Sequence, residues 1–315
     1  MTAPMRPVFI GGSGRSGTTM LGSMLGAHPA YVAVPESQFK TAVLAAADPS
    51  GTVDVARAVE QIRADGRFRR LWGLDIAGLE ERLGPRAPAR TVIEGVVRAW
   101  GAANGKLEPE VWIDQSPSNV RFARTLADAF PDARFVHLVR DGRAVAASIL
   151  KMDWGPTTPA AAARFWLVNL AFGLALESAH GLAEVTTRAH YERVVAEPEA
   201  ALRELCAFLE LAYEPAMSER GGLLPSSYTA SIHAHVGGPP RPDRIEAWRE
   251  ELSPRDVEIF ESVARDALSL LGYQPEYGLA ARGLGRREAL AAGIRTAAGR
   301  RLNRLRRLRR QLAVR

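Results

Sequence analysis

The sequence predicts an α/β fold: a three-layer sandwich with a central parallel sheet and helices on both faces. Three observations carry this. Apolar runs of strand length alternate with helix-period segments, the pattern of βα units. One run, RFVHLVR (134–140), is apolar almost throughout, as a strand buried on both faces must be. The first run, PVFIGG (7–12), passes through a glycine turn straight into a helical pattern. That puts a loop at a strand's carboxyl end, where such sheets bind ligands.

Taken in order, PVFIGG is the first strand and Thr18 to Ala27 the first helix, with Thr19 or Ser16 suited to its start. YVAV (31–34) is a short strand ended by Pro35. Residues 37–103 are mainly helical in pattern, in SQFKTAVLAAA, VDVARAVEQIRAD and RTVIEGVVRAW. VWID (111–114) is a strand, and Pro117 opens a helix. After RFVHLVR and the turn Asp141-Gly142 comes the helix RAVAASILKM (143–152). FWLVNLAFGLAL (165–176) carries Asn169 and is too short to span a bilayer, so it reads as a buried core helix. VTTRAHY (185–191) is the last strand, followed by a helix from Pro198 to Leu211. Ser253-Pro254-Arg255-Asp256 is a helix start with a capping pair, and Gly272 ends that helix. No repeat or low-complexity linker interrupts the chain. One domain is expected over 1–282, with 37–110 as a mainly helical insertion, and a basic tail over 283–315.

The 315 residues are 47% hydrophobic and 24% charged, an ordinary globular composition with ample length for a core. The single cysteine, Cys206, excludes an intrachain disulfide and argues against a cysteine metal site. It reads as a small apolar residue on a helix. A reducing, cytoplasmic setting is expected, since no signal peptide is visible before Gly11. The net charge of +6 misleads as an average. Residues 283–315 hold eleven arginines and one glutamate, so the first 282 residues are slightly acidic. This excludes a nucleic-acid face on the main domain. Only Lys40, Lys106 and Lys151 stand against 38 arginines, so arginine must do most of the anion binding.

The loop GSGRSGTTML (12–21) has the spacing of a Walker A loop with one change. Thr18 stands where a lysine would reach the β and γ phosphates, and Arg15 lies inside the loop instead. The N–H groups of such a turn and the positive end of the next helix hold a phosphate. No apolar run ends in Asp-Asp or Asp-Glu for a metal. The loop therefore suits a 5′-phosphate held without magnesium, with Arg15 as the cation. A glycine turn that binds nothing would leave three glycines, two threonines and an arginine unexplained. Arg140 ends the buried strand and Ser148 follows eight residues later on the next helix. The pair would emerge at the same sheet edge and clamp a second phosphate.

FIGGSGRSGTTMLGSML together with FVHLVRDGRAVAAS resembles the sulfotransferases that use 3′-phosphoadenosine 5′-phosphosulfate (PAPS). HYERVVAEPEAALRELCAFLEL (190–211) and RIEAWREELSPRDVEIFE (244–261) extend the resemblance over roughly residues 7–275. It implies a P-loop-type sandwich, PAPS as co-substrate and no metal. It also implies that Gly14, Arg15, Ser16, Gly17, Thr18 and Thr19 hold the 5′-phosphosulfate, with Arg15 facing the transferring sulfonate. Arg140 and Ser148 would bind the 3′-phosphate and Tyr191 would lie near the nucleotide. The stretch SIHAHVGGPPRPDR (231–244) would close over the donor, with Arg241 a contact.

Sulfuryl transfer needs a base for the acceptor hydroxyl, and Glu36 is the candidate. It lies 21 residues beyond Arg15, after a strand end and Pro35, and this spacing resembles that of the tyrosylprotein sulfotransferases, whose base is a glutamate. A helix N-terminal glutamate stabilised by the dipole would look the same. Of the histidines, His28 suits a turn and His137 a buried strand; His233 or His235 would be the base if Glu36 is not. The resemblance departs at WIDQSPSN, where Gln115 stands at the place of a family lysine. Either Arg15 suffices, or Lys40 reaches in, or turnover is slow.

The expected acceptor is a small metabolite, carbohydrate or lipid, with a tyrosyl or phenolic acceptor as the alternative. A P-loop nucleotide kinase and a non-catalytic nucleotide-binding protein are the rival readings. Phe39, Phe68, Trp72 and Trp100 suit the core better than an acceptor wall. In the tail, Leu302, Leu305, Leu308 and Leu312 recur at helical spacing with arginines between them. This reads as a basic amphipathic helix, either solvated, docked on a partner helix, or in peripheral contact with a membrane. No nucleic-acid partner is expected, because no aromatics are interleaved.

Overall fold

The computed structural model describes residues 4–219, 222 and 238–312. Five strands form one parallel sheet in the order β2-β5-β1-β6-β7. They are β1 (Arg6–Gly12), β2 (Tyr31–Val34), β5 (Val111–Asp114), β6 (Arg134–Val139) and β7 (Thr186–His190). In register, Phe9 of the central strand lies opposite Asp114 on one side and Phe135 on the other. Because the strands run the same way, all five carboxyl ends open on one edge. The residues just beyond them are the loop after Gly12, then Glu36, Gln115, Arg140 and Tyr191.

Side chains alternate across the sheet. Val8, Ile10, Val136 and Leu138 face α1 (Thr18–Leu25) and α11 (Pro198–Leu209). Phe9 and Phe135 face the other layer. Gly12 must be glycine: its φ is +152°, and a Cβ would strike the Leu138 carbonyl oxygen.

The insertion after β2 is helical, as expected, in α2 (Phe39–Ala45), α3 (Val55–Ala64), α4 (Gly66–Leu71), α5 (Leu79–Leu83) and α6 (Ala89–Ala103). It also holds a two-stranded antiparallel sheet absent from the sequence reading, β3 (Thr52–Asp54) against β4 (Arg86–Pro88). Val53 and Asp54 therefore lie outside the helix they were expected to begin, and Asp54 caps α3 through the Arg57 N–H. Phe39, Phe68 and Trp72 are buried and pack ring to ring at 5.3–5.4 Å. These aromatics are core, as the sequence suggested.

Pro117 opens a 3-10 turn (Pro117–Arg121) before α7 (Ala123–Ala129). Then come α8 (Gly142–Ile149), α9 (Pro159–Ser178), α10 (Tyr191–Ala196), α12 (Ala216–Glu219), α13 (Trp248–Glu251), α14 (Pro254–Leu270) and the basic α15 (Arg286–Leu312). The Ser253 hydroxyl accepts from the Asp256 N–H and caps α14 as the motif predicts. Helix α9 corrects the reading of a wholly buried helix. Trp166, Leu170, Gly173 and Leu176 face inward, but Val168 and Phe172 are exposed.

Candidate active site

The loop after β1 turns into α1 through Gly17, which has φ +96° and lies so close to Tyr191 that a Cβ would come 2.6 Å from its ring. Gly17 is also the N-cap, and no side chain caps the helix. Neither Ser16 nor Thr19 takes that role, contrary to the sequence expectation. The first-turn N–H groups of α1 are left for a ligand at the helix's positive end. Arg15 sits at φ +73°, a left-handed conformation costly for a non-glycine residue. Two partners hold it there: its Nε donates to the Ser148 hydroxyl at 2.9 Å, and its carbonyl accepts from Arg140 Nη1 at 3.2 Å.

Arg140 leaves the end of β6 and is buried. Its Nη2 donates to the Arg244 carbonyl at 2.9 Å, and its guanidinium lies 4.0 Å from the centre of the Tyr191 ring. Among the described residues, its Nε has no acceptor and the buried Ser16 hydroxyl has no partner. Buried polar atoms are normally satisfied, so two orphans in one cleft fit a ligand with acceptor oxygens. The electrostatics agree. Burial lowers the Arg15 pKa, the nearby charge of Arg140 lowers it further, and Glu36 opposes both. Two guanidiniums, one half-buried and one buried, make a cleft suited to an anion.

The structure therefore gathers Arg15, Ser16, Gly17, Arg140, Ser148 and Tyr191 in one place, but it pairs Ser148 with Arg15 instead of Arg140. Thr18 is buried in the first turn of α1. Thr19 donates its hydroxyl to Gln115 Oε1 at 2.8 Å, and Gln115 Nε2 donates to the Val34 carbonyl at 3.3 Å. Gln115 thus ties the ends of β5 and β2 to the first turn of α1 by neutral hydrogen bonds. Over Gly14 lie Trp154 and Phe165, 3.5 and 3.6 Å from where a Cβ would stand. Sequence reasoning missed this aromatic lip, because Trp154 sits in an irregular segment with no periodicity to mark it.

Glu36 enters the same edge. Its carboxylate is paired with Arg67 of α4, and its carbonyl accepts from Trp72 Nε1 at 3.3 Å. The base candidate is therefore near Arg15 electrostatically but carries a second arginine that the sequence did not announce. Lys40 does not reach in. Its ammonium is buried, 3.1 Å from Asp114 and bonded to the Ser37 carbonyl and hydroxyl. Burial alone would raise the Asp114 carboxyl; Lys40 and the Ser37 and Ser116 hydrogen bonds bring it below the ordinary carboxylate range.

His28 accepts from the Ala30 N–H and stabilises the turn after α1; His137 is buried and paired with Glu177 at 2.6 Å. Both are structural, as expected. His233 and His235 lie outside the described residues. Arg241 is exposed and paired with Asp243 at 2.7 Å; among the described residues of this segment, the Arg244 carbonyl touches the site through Arg140. No group of three His, Cys, Asp or Glu that could hold a metal occurs among the described residues.

A parallel sheet with a lysine-free glycine loop at the end of its central strand and a buried arginine at the end of the next defines an α/β fold of the P-loop type. The family model described as the sulfotransferase family matches residues 7–215, and the chain belongs to that family. It is similar to protein-tyrosine sulfotransferase 1 of Danio rerio, 27% identical over 283 residues, which cover 85% of this chain and 72% of the relative. It is also similar to nodulation protein NoeE of Sinorhizobium fredii, 26% identical over 295 residues, covering 84% of this chain and 65% of NoeE. Among solved structures, the sulfotransferase domains of the curacin biosynthetic pathway and of the Synechococcus PCC 7002 olefin synthase share the fold. Each has a TM-score of 0.55 and covers 87% of this chain; they cover 99% and 97% of their own lengths, at 18% and 21% identity. The chain is a sulfotransferase, and the kinase reading is set aside.

Proposed function

We propose that this sulfotransferase moves a sulfonate from PAPS to an acceptor hydroxyl, with Glu36 as general base. The observation that carries the reading is half-buried Arg15 beside buried Arg140, with the Arg140 Nε and the Ser16 hydroxyl unpartnered among the described residues. Arg140 binds the 3′-phosphate, stacked on Tyr191. The turn Gly14 to Thr18 binds the 5′-phosphosulfate through main-chain N–H groups, with Ser148 orienting Arg15 toward the sulfonate. Thr19 acts through Gln115 and holds the loop.

In the transfer, the acceptor oxygen bonds to sulfur as the bond from sulfur to the 5′-phosphate oxygen breaks. The acceptor proton goes to Glu36. Negative charge grows on the leaving phosphate oxygen, where Arg15 and the α1 N-terminus stand ready to stabilise it. Arg67 orients the Glu36 carboxylate. With Lys40 engaged by Asp114 and glutamine at position 115, the leaving group relies on Arg15 and the loop N–H groups.

The acceptor is a small metabolite, carbohydrate or lipid alcohol. The second reading, a tyrosyl or phenolic acceptor, is favoured by the placement of Glu36 and by the naming of several relatives as protein-tyrosine sulfotransferases.

Calorimetric titration with adenosine 3′,5′-bisphosphate, without magnesium, tests the donor site. Wild type should bind, and Arg140→Ala should bind about 10- to 100-fold more weakly, the loss of charge-assisted hydrogen bonds. No binding by wild type, or binding of ATP only with magnesium, would refute the reading. Binding without turnover against any acceptor would leave a non-catalytic nucleotide-binding protein.

A further inference from the structure

Helix α9 is 20 residues long and reaches a mean hydropathy of 1.4, yet it belongs to the folded body, packed on α14 and the sheet. Its composition exceeds what packing needs. Its outer face carries Val168 and Phe172, 49% and 41% exposed, with Ala171 and Ala175 also exposed between and after them. The helix's one acid, Glu177, is turned away and paired with His137 and Arg188. Cations flank the face instead: Arg164 is exposed at its start, and the Arg121 guanidinium lies 5.1 Å from the Phe172 ring. An isolated exposed apolar side chain is ordinary, but a run of them on one helix face marks an interaction surface.

A second feature adjoins it. Helix α15 carries ten arginines and one glutamate in 27 residues. That glutamate, Glu288, is paired with Arg255 of α14 at 2.7 Å, on the side of the body. Gly299 lies directly on Thr157, two residues before α9; a Cβ there would meet Thr157 at 2.7 Å. Leu290 and Ile294 of α15 are 70% and 64% exposed. Trp154, three residues before Thr157 and 40% exposed, lies over Gly14 of the loop after β1.

We infer that the outer face of α9 and the basic helix α15 together form a seat on an anionic lipid bilayer, with the mouth of the active site at its edge. The chemistry is that of an interfacial surface: apolar side chains enter the headgroup boundary and arginines meet the lipid charge. An aromatic with a polar edge, such as Trp154, suits the boundary itself. A lipid alcohol in that surface would arrive at the lip formed by Trp154 and Phe165. The seat is independent of the donor assignment, so a catalytically silent Arg140→Ala protein should bind the same vesicles.

Co-sedimentation of the full chain with vesicles tests it. Wild type should bind phosphatidylcholine vesicles containing phosphatidylglycerol, bind phosphatidylcholine alone far less, and release as salt rises. Val168→Ser/Phe172→Ser should bind the anionic vesicles roughly tenfold more weakly while melting at the wild-type temperature. Arg164→Glu should weaken binding without touching the packed face. Absence of vesicle binding would overturn the inference. So would full binding by the double variant, which would make the tail alone responsible. A wild-type dimer that the double variant converts to monomer would overturn it in favour of a second copy of this chain.

Discussion

Arg140 Nη1 donates to the main-chain carbonyl of Arg15 at 3.2 Å, so the arginine that ends β6 props the strained turn of the loop after β1. With the Arg15 Nε–Ser148 hydrogen bond it joins the two arginine-bearing motifs, and it brings like charges close together. Arg15→Gln removes one of those charges and can keep the bond to Ser148. Its unliganded melting temperature should hold or rise slightly. Ligand stabilisation should fall: a concentration of adenosine 3′,5′-bisphosphate at 100 times the wild-type Kd stabilises wild type by about 2.7 kcal/mol and the variant by under ~1 kcal/mol. A large loss of unliganded stability would show instead that Arg15 is there for packing.

Gly17 is constrained twice, by its φ of +96° and by the Tyr191 ring 2.6 Å from any Cβ. Gly17→Ala should cost about 1–3 kcal/mol in thermal or urea unfolding and remove bisphosphate binding. Tyr191→Ala alone should weaken nucleotide binding with a smaller stability change. In the double variant the clash is gone and the φ strain stays, so part of the Gly17→Ala stability loss should return. Full additivity of the two would mean that the ring does not constrain the loop.

Much of this was legible because it is local in sequence. A strand, a glycine turn and a helix lie consecutively in residues 7–25, and Arg140 directly follows an apolar run, so their meeting at one sheet edge follows from parallel topology. The pairing of Glu36 with Arg67 was not legible, since it spans two intervening helices of the insertion, α2 and α3, whose packing no periodicity encodes. The antiparallel pair of Thr52–Asp54 with Arg86–Pro88 has no turn signal, because three helices separate its strands. The exposed face of α9 was hidden for the opposite reason: an apolar run shows that a helix can be buried and does not show which residues are.

Glu36→Gln keeps the size and most hydrogen bonds of the side chain but cannot take a proton. Turnover should fall about 10²- to 10⁴-fold while bisphosphate affinity stays within about threefold. A fall in both together would assign Glu36 to donor binding. Turnover near wild type would move the base elsewhere, with His233 and His235 the next residues to change.

The Lys40–Asp114 pair is fully buried, so removing one partner strands the other. Lys40→Met should destabilise the fold by about 3–5 kcal/mol. Asp114→Asn retains size and several hydrogen bonds, to the Ser116 N–H among them, and leaves the ammonium unpaired. If Lys40 only supports the fold, a Lys40→Met protein assayed well below its melting temperature keeps its kcat. A kcat loss without a melting change would return Lys40 to the chemistry.

Glu177 fastens α9 to the sheet through His137 and Arg188, and its acidity sets a pH window. Burial alone would raise the carboxyl, but the hydrogen bonds and charges of His137 and Arg188 outweigh it and bring the pKa down from 4.5 to about 2. A depressed carboxyl contributes stability that is fully present above its unfolded pKa and is lost as pH falls through the folded one. The shift corresponds to about 3 kcal/mol at most, and partial exposure of Arg188 reduces this to about 1–3 kcal/mol. Urea unfolding of wild type and Glu177→Gln should therefore differ by that amount at pH 7. The gap should hold down to about pH 5 and close progressively between pH 4.5 and 2. A gap that stays constant across that range would mean that Glu177 holds α9 by shape and neutral hydrogen bonding, and that its charge contributes nothing to the anchoring.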